Sequence, residues 1–139
     1  MSLLRKFASY GKLDILVNNA AILYMSSTDE QKNHPIKTNF FNTIKFTEHL
    51  IPLLSDDGKI LMVSSVCGNY LHKEKLFKKP NLTEKELYKI AENVVELTKD
   101  FPGYGVIVES SYPTSKALLN KHVRSFLPKK VKATQQFYQ

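Results

Sequence analysis

Tyr112 and Lys116 stand four residues apart in Ser110-Ser111-Tyr112-Pro113-Thr114-Ser115-Lys116-Ala117-Leu118-Leu119-Asn120. Apolar residues then recur at Leu118/Leu119, Val123 and Phe126, a helical period that puts the phenol and the ammonium on one face, about one turn apart. A phenol titrates at about 10, and a fixed ammonium beside it favours the phenolate, bringing its pKa toward working pH. Such a pair can give or take a proton as a carbonyl and an alcohol interconvert. Tyr-x-x-x-Lys alone is a weak pattern that far more often describes a half-buried tyrosine beside a solvated lysine, so the residues upstream decide its weight.

Those residues read as two strands joined by a helix. Leu13-Asp14-Ile15-Leu16-Val17-Asn18-Asn19-Ala20-Ala21 is a short apolar run ending in polar and small residues. That is the pattern of a buried parallel strand whose C-terminal end opens on a ligand crevice, a plain turn at Asn18-Asn19 being the alternative. Asn33-His34-Pro35 predicts a helix start, with Asn33 as cap and Pro35 in the first turn. Ile36, Phe40, Ile44, Leu50/Ile51 and Leu54 continue it, and Pro52 kinks or closes it. Asn39 falls in the middle, where asparagine has poor propensity and ordinarily points to solvent. Ser55-Asp56-Asp57-Gly58 predicts a turn, and Lys59-Ile60-Leu61-Met62-Val63-Ser64-Ser65 a second buried strand. A right-handed βαβ crossover then lines Asn18/Asn19 and Ser64/Ser65 along one crevice.

Elsewhere, Leu3 to Tyr10 reads as the last turns of a helix stopped by Gly11. Thr83 and Glu86 form a capping box ahead of a stripe of Leu87, Ile90/Ala91, Val94 and Leu97/Thr98, ended by Pro102-Gly103. Gly105-Val106-Ile107-Val108 reads as a short extended piece, and Lys129 to Gln139 as a polar tail.

The 139 residues, 42% hydrophobic and 24% charged, have the composition of one soluble globular domain, neither disordered nor fibrous. No apolar run is long enough to span a membrane and the N-terminus lacks a secretory leader, so a cytoplasmic location is expected. The single cysteine, Cys67, rules out an internal disulfide and agrees with a reducing compartment. Asn81-Leu82-Thr83 fits the glycosylation sequon and is read as chance. The net charge of +7 keeps nucleic acid in view as a partner, yet Lys73/Lys75/Lys78/Lys79 and Lys129/Lys130/Lys132 lack interleaved aromatics and read as solvated faces. His34, His49, His72 and His122 show no ligand-like spacing, and Cys67 has no cysteine partner, so no metal site is expected.

Assembled, these pieces resemble the short-chain dehydrogenase/reductase family from about Met1 to Phe126. Leu13 to Ala21 resembles its Asn-Asn-Ala-Gly strand, Asn39 its helix asparagine, Ser65 its catalytic serine, and Tyr112 with Lys116 its Tyr-x-x-x-Lys pair. Thr38-Asn39-Phe40-Phe41-Asn42-Thr43, Leu50-Ile51-Pro52-Leu53-Leu54 and Gly58-Lys59-Ile60-Leu61-Met62-Val63-Ser64-Ser65 resemble the central block of its carbonyl reductases, whose long insertion after the serine resembles residues 66–111. The resemblance implies NADPH-dependent reduction of aldehydes, ketones or quinones by a monomer; the composition already points away from a nucleic acid or membrane partner. Tyr112 would protonate the carbonyl oxygen, Lys116 would depress the phenol's pKa and hold the nicotinamide ribose, Ser65 would hydrogen-bond the carbonyl, and Asn39 would hold a relay water. Asn18 and Ala20, with Tyr112 and Lys116, would lie along the cofactor. The implied fold is α/β: a partial Rossmann-like, doubly wound parallel sheet, without the first strands and their glycine-rich loop and without the C-terminal strands. Residues 1–127 would be the central portion of that domain and 128–139 a polar tail.

The sequence also departs from the family. A dinucleotide site needs a glycine-rich loop between strand and helix, and the only Gly-x-Gly, Gly103-Tyr104-Gly105, precedes an extended piece instead. Ala21 stands where the motif has glycine, and Pro113 biases Tyr112 away from helical dihedrals, which would swing the phenol off the Lys116 face. With two core strands, strand edges and apolar faces are expected to be exposed. The corresponding alternative is a truncated gene product or incomplete gene model, a non-catalytic remnant acting as an interaction module.

Overall fold

Strand β1, Leu13–Asn18, forms from the first apolar run and pairs in parallel with β2, Leu54–Met62, Ile15 lying opposite Lys59 and Asn18 opposite Met62. The computed structural model describes residues 11–24, 34–71, 81–93, 111–132 and 136–138. β2 starts earlier than its sequence predicts. Ser55-Asp56-Asp57-Gly58 is not a separate turn but part of the strand, taken up where the register slips between the pairs Leu13↔Leu54 and Ile15↔Lys59. Gly58 suits this irregular stretch, because a Cβ there would stand 3.0 Å from both the Leu54 Cβ and the Ser55 carbonyl oxygen.

The crossover between the strands is helical over residues 34–53, here called α1. It is α-helical at His34–Ile36, π-helical at Lys37–Asn42, α-helical again at Thr43–Leu50 and a 3-10 turn at Ile51–Leu53. Pro35 sits in the first turn, where a missing N–H removes no helical bond, and Pro52 sits in the closing 3-10 turn. Among the described residues three further helices follow: α2, Val66–Leu71; α3, Glu84–Glu92; and α4, Tyr112–Ser125, which leads into a 3-10 turn at Leu127–Lys129. The expected capping box opens α3, Glu86 N–H donating to Thr83 Oγ1 at 3.2 Å and Thr83 N–H to Glu86 Oε2 at 2.8 Å. Helix α3 closes at Glu92. The continuation of its stripe through Val94 to Thr98 lies outside the described residues, as do the helix expected at Leu3 to Tyr10 and the extended piece at Gly105 to Val108.

One core joins these elements. Ile36, Phe40 and Ile44 of α1 and Ala117, Leu118, Leu119 and Val123 of α4 pack with Leu16, Ile60 and Met62 of the sheet, and Leu87 and Ala91 bring in α3. Each large apolar side chain buried this way contributes about 1.5–3 kcal/mol. Contact between α2 and α4 depends on Gly68, where a Cβ would lie 2.8 Å from the Lys116 carbonyl carbon and 2.9 Å from its Cβ.

The segment read as a polar tail contains a strand: Gln136–Tyr138 form β3, parallel to β2 with Gln136 opposite Lys59, so among the described residues the sheet has three strands in the order β1-β2-β3. One strand beyond α4, expected to be missing, is therefore present. Charge pairing holds the approach to it: Lys130 bridges Glu48 of α1 and Glu84 of α3, and Lys132 pairs with Asp56 of β2. The second edge of β1 has no strand partner among the described residues. Leu16, Ile60 and Met62 are buried on one face of the sheet, while Ile15 and Val17 on the other remain 57% and 54% exposed. The helical layer that a doubly wound sheet carries on that second face is absent among the described residues. None of the described helices is long and apolar enough to cross a membrane.

Candidate active site

Helix α4 begins at Tyr112 with Pro113 in its first turn, so the proline starts the helix instead of displacing the tyrosine from it. The Lys116 Nζ lies 5.6 Å from the centre of the Tyr112 ring, on the shared face that the spacing predicts. Lys116 is buried, and its ammonium donates to the Val63 carbonyl oxygen at 2.8 Å. Burial lowers its pKa below the ordinary 10.5, since the charged form loses hydration. The Val63 N–H in turn donates to the Asn18 carbonyl oxygen at 3.0 Å. One residue just past β2, Val63, thus ties the end of β1 to the lysine of α4 through its two backbone polar groups.

Asn39 does not point to solvent. It lies in the π-helical turn of α1 and is 1% exposed. Its Oδ1 accepts from Ile22 N–H at 2.9 Å, and its Nδ2 donates to the Ile22 carbonyl at 2.9 Å and to Ser115 Oγ at 3.1 Å. The wider π turn sits where this side chain must reach both the loop after β1 and the start of α4. The Asn18 side chain donates to Met62 Sδ at 3.2 Å. Asn18 lines a cleft of about 300 Å³ with Asn19, Ala20, Thr38, Asn42 and Phe46, and Ala20 is exposed there.

Ser65 begins the turn into α2: its Oγ accepts from Cys67 N–H at 3.3 Å and its carbonyl from Gly68 N–H at 3.0 Å. With Ser64, Asn69, Asn120 and Arg124 it lines a second cleft, of about 280 Å³. Ser64 Oγ donates to Asn120 Oδ1, and Asn120 Nδ2 to Asn69 Oδ1 at 3.3 Å. Tyr112, Lys116 and Asn39 are therefore brought together around the start of α4, with Asn18 joined to them through Val63. Ser65 and Ala20 stand to either side, each lining a cleft that neither Tyr112 nor Lys116 lines.

Several residues here were not legible in sequence. Ser115, Asn120 and Gly68 carry no local motif beyond their place near Lys116 or Ser65. A polar cluster away from the clefts was also missed. His122 of α4, Glu84 of α3 and Glu48 of α1 place a ligand-type atom each within 4.8 Å of one another, although no metal site was expected. They come from three separate helices, so no spacing along the chain announces them. The Lys130 ammonium lies against both carboxylates. His122 is fully buried, with Nε2 2.8 Å from Glu84 Oε1. Burial holds its pKa below the ordinary 6.5, against the opposing pull of Glu84. Burial also acts to raise the Glu84 pKa, but hydrogen bonds from Lys130 and His122 prevail and hold it below 4.5.

The family model described as short chain dehydrogenase matches residues 3–75. Carbonyl reductase (NADPH) 1 of Mus musculus is 34% identical over 116 residues, covering 76% of this chain and 40% of its own length. The Bos taurus protein of the same name is 37% identical over 101 residues, covering 66% and 36%. Carbonyl reductase (NADPH) 3 of Homo sapiens is 33% identical over 103 residues, again covering 66% and 36%. The chain spans about 40% of the length of the curated relatives it matches.

Proposed function

The chain belongs to the short-chain dehydrogenase/reductase family, and from that membership we propose that it supplies the proton-donating centre of an NADPH-dependent carbonyl reductase. The substrates in this reading are aldehydes, ketones or quinones, and the enzyme is a cytoplasmic monomer. What carries it is the packing of Tyr112 with a buried Lys116 whose ammonium lies 5.6 Å from the phenol ring centre.

The nicotinamide end of the cofactor fits the residues present. Asn18 and Ala20 edge a largely apolar cleft at the C-terminal end of β1, and the Lys116 ammonium has donors left beyond its bond to Val63. The pyrophosphate end finds no glycine-rich cradle in the sequence, so no residue is assigned to it. When bound, NADPH supplies the hydride. Tyr112 Oη gives its proton to the substrate oxygen, and Lys116 stabilises the phenolate left behind. Ser65 Oγ donates to the same oxygen, which requires its cleft and the Tyr112 face to meet around the substrate. Asn39 keeps the loop after β1 in register with α4 and holds the relay water at its turn.

A second reading, a non-catalytic remnant that binds a partner, draws on the exposed Ile15 and Val17 and the edge of β1 that no described strand pairs. Turnover of NADPH with an ortho-quinone by the purified chain separates the two. The reductase reading expects oxidation that Tyr112→Phe lowers about 100-fold or more, the scale of lost acid catalysis. Neither NADPH binding nor turnover by a folded chain would leave the remnant reading.

A further inference from the structure

Ser115 sits where two hydrogen-bonded systems join, and it belongs to none of the expected site residues. It is fully buried in the first turns of α4. Its Oγ donates to the Tyr112 carbonyl at 2.6 Å and accepts from Asn39 Nδ2 at 3.1 Å. A hydroxyl has one proton, so the direction of both bonds is fixed. The Asn39 amide is fixed as well: one Nδ2 proton goes to Ser115 and the other to the Ile22 carbonyl, while Oδ1 takes the Ile22 N–H. A flipped amide would set oxygen against the Ile22 carbonyl. The result is a one-way chain, Ile22 to Asn39 to Ser115 to Tyr112, running through a buried site where each unmade bond is expensive.

We propose that Ser115 is a positioning residue: it sets the turn that carries Tyr112 at a fixed distance from the loop after β1, whose Ala20, with Asn18 at the end of the strand, edges the first cleft. Neither end touches the other directly. Tyr112 is half-buried at the first position of the helix, where backbone restraint is weakest, and Ser115 restrains its carbonyl from inside the helix. Through Asn39 the same hydroxyl restrains both polar groups of the Ile22 backbone. The inference rests on the reductase reading for its catalytic meaning, but the coupling is a property of the fold and can be read without turnover.

The test is Ser115→Ala in the 139-residue chain, read by amide hydrogen exchange and by kinetics. Exchange at the Ile22 amide, on a different element from the substitution, is expected to quicken at least tenfold while the Leu118 and Leu119 amides of α4 keep their rates. In the active protein kcat is expected to fall about tenfold with KM for NADPH unchanged. If the unsubstituted chain oxidises no NADPH, the reductase reading fails while the Ile22 exchange still decides the coupling. Unchanged Ile22 exchange, a general quickening across α4, or an unchanged kcat in an active protein each overturns the proposal. Ser115→Cys, similar in volume with a weak donor, gives the same readout if the alanine variant does not fold.

Discussion

The Lys116 ammonium donates to the Val63 carbonyl at 2.8 Å, which fastens the catalytic candidate of α4 to the end of β2. Replacing Lys116 by Met keeps the stem that packs over Gly68 and Tyr112, removes one charge-assisted hydrogen bond worth about 1.5–3 kcal/mol, and relieves the dehydrated charge, which offsets that loss. Lys116→Met is therefore expected to change stability by no more than about 1 kcal/mol in urea unfolding, in either direction. Its NADPH-dependent turnover is expected to fall at least about 100-fold. A variant that unfolds outright would show that the ammonium holds the fold together more than it serves the chemistry.

Asn39→Ala removes three hydrogen bonds, one buried and two part-buried, and takes the side-chain partner from both backbone groups of Ile22 and from the Ser115 hydroxyl. Leaving these groups unpaired is expected to cost about 2–4 kcal/mol, at the upper end of the usual range for point changes. Chemical denaturation at neutral pH measures it, and a loss under about 1 kcal/mol would mean that water replaces the amide without penalty.

At Gly68, a methyl would stand 2.8 Å from the Lys116 carbonyl carbon, inside any normal contact. Backbone cannot step aside as a flexible side chain can. Gly68→Ala is expected to push α2 off α4 and lower stability by about 1–3 kcal/mol. Turnover should fall with it, because Lys116 and the Ser65 turn lie on the two sides of that contact. Unfolding midpoints equal to those of the parent would contradict the close approach.

His122 gives the fold a pH dependence with a definite sign. Its folded pKa is depressed below 6.5, mainly by burial, so on acidification the unfolded chain takes up the proton first. Stability is full above about 6.5 and declines as pH falls from there toward the lowered folded value. Glu84, also depressed, adds a second decline only below 4.5. Phe40, Tyr88 and Phe126 surround the imidazole, so His122→Phe fits an existing aromatic cluster. That variant is expected to flatten the decline between pH 6.5 and 5 in urea titrations. A parent whose stability is level across that interval would remove the argument.

What the sequence disclosed were features settled within a turn or two of chain. The Thr83/Glu86 box, the helix opening with Pro35 in its first turn and the shared face of Tyr112 and Lys116 depend on residues within four of one another, and the structure has all three, the expected Asn33 cap lying outside the described residues. The misreadings share the opposite property. Ser55-Asp56-Asp57-Gly58 has turn composition, but pairing with β1 from a distant part of the chain keeps it within β2. Lys130 and Lys132 are exposed, as a solvated face implies, but their partners Glu48, Glu84 and Asp56 arrive from other elements, which local sequence could not show. Asn39 reads as a misplaced helix residue because Ile22 and Ser115, its partners, lie on a loop and a helix that the pattern around it cannot specify.

The sheet order also bears on how the chain reaches this structure. β1 meets β2 only after all of α1 has been traversed, and β2 meets β3 only across α2, α3 and α4. Neither pairing is a hairpin, so no strand contact can form early and cheaply. Loop-closure entropy has to be overcome before any ladder bond offsets it. The helices, whose contacts are local, can form within microseconds, whereas a sheet built wholly from distant parallel pairs assembles on the far slower scale of high contact order. During that interval the apolar strands Leu13–Asn18 and Leu54–Met62 stand unpaired together, and it is then that the chain is most open to association with its own copies.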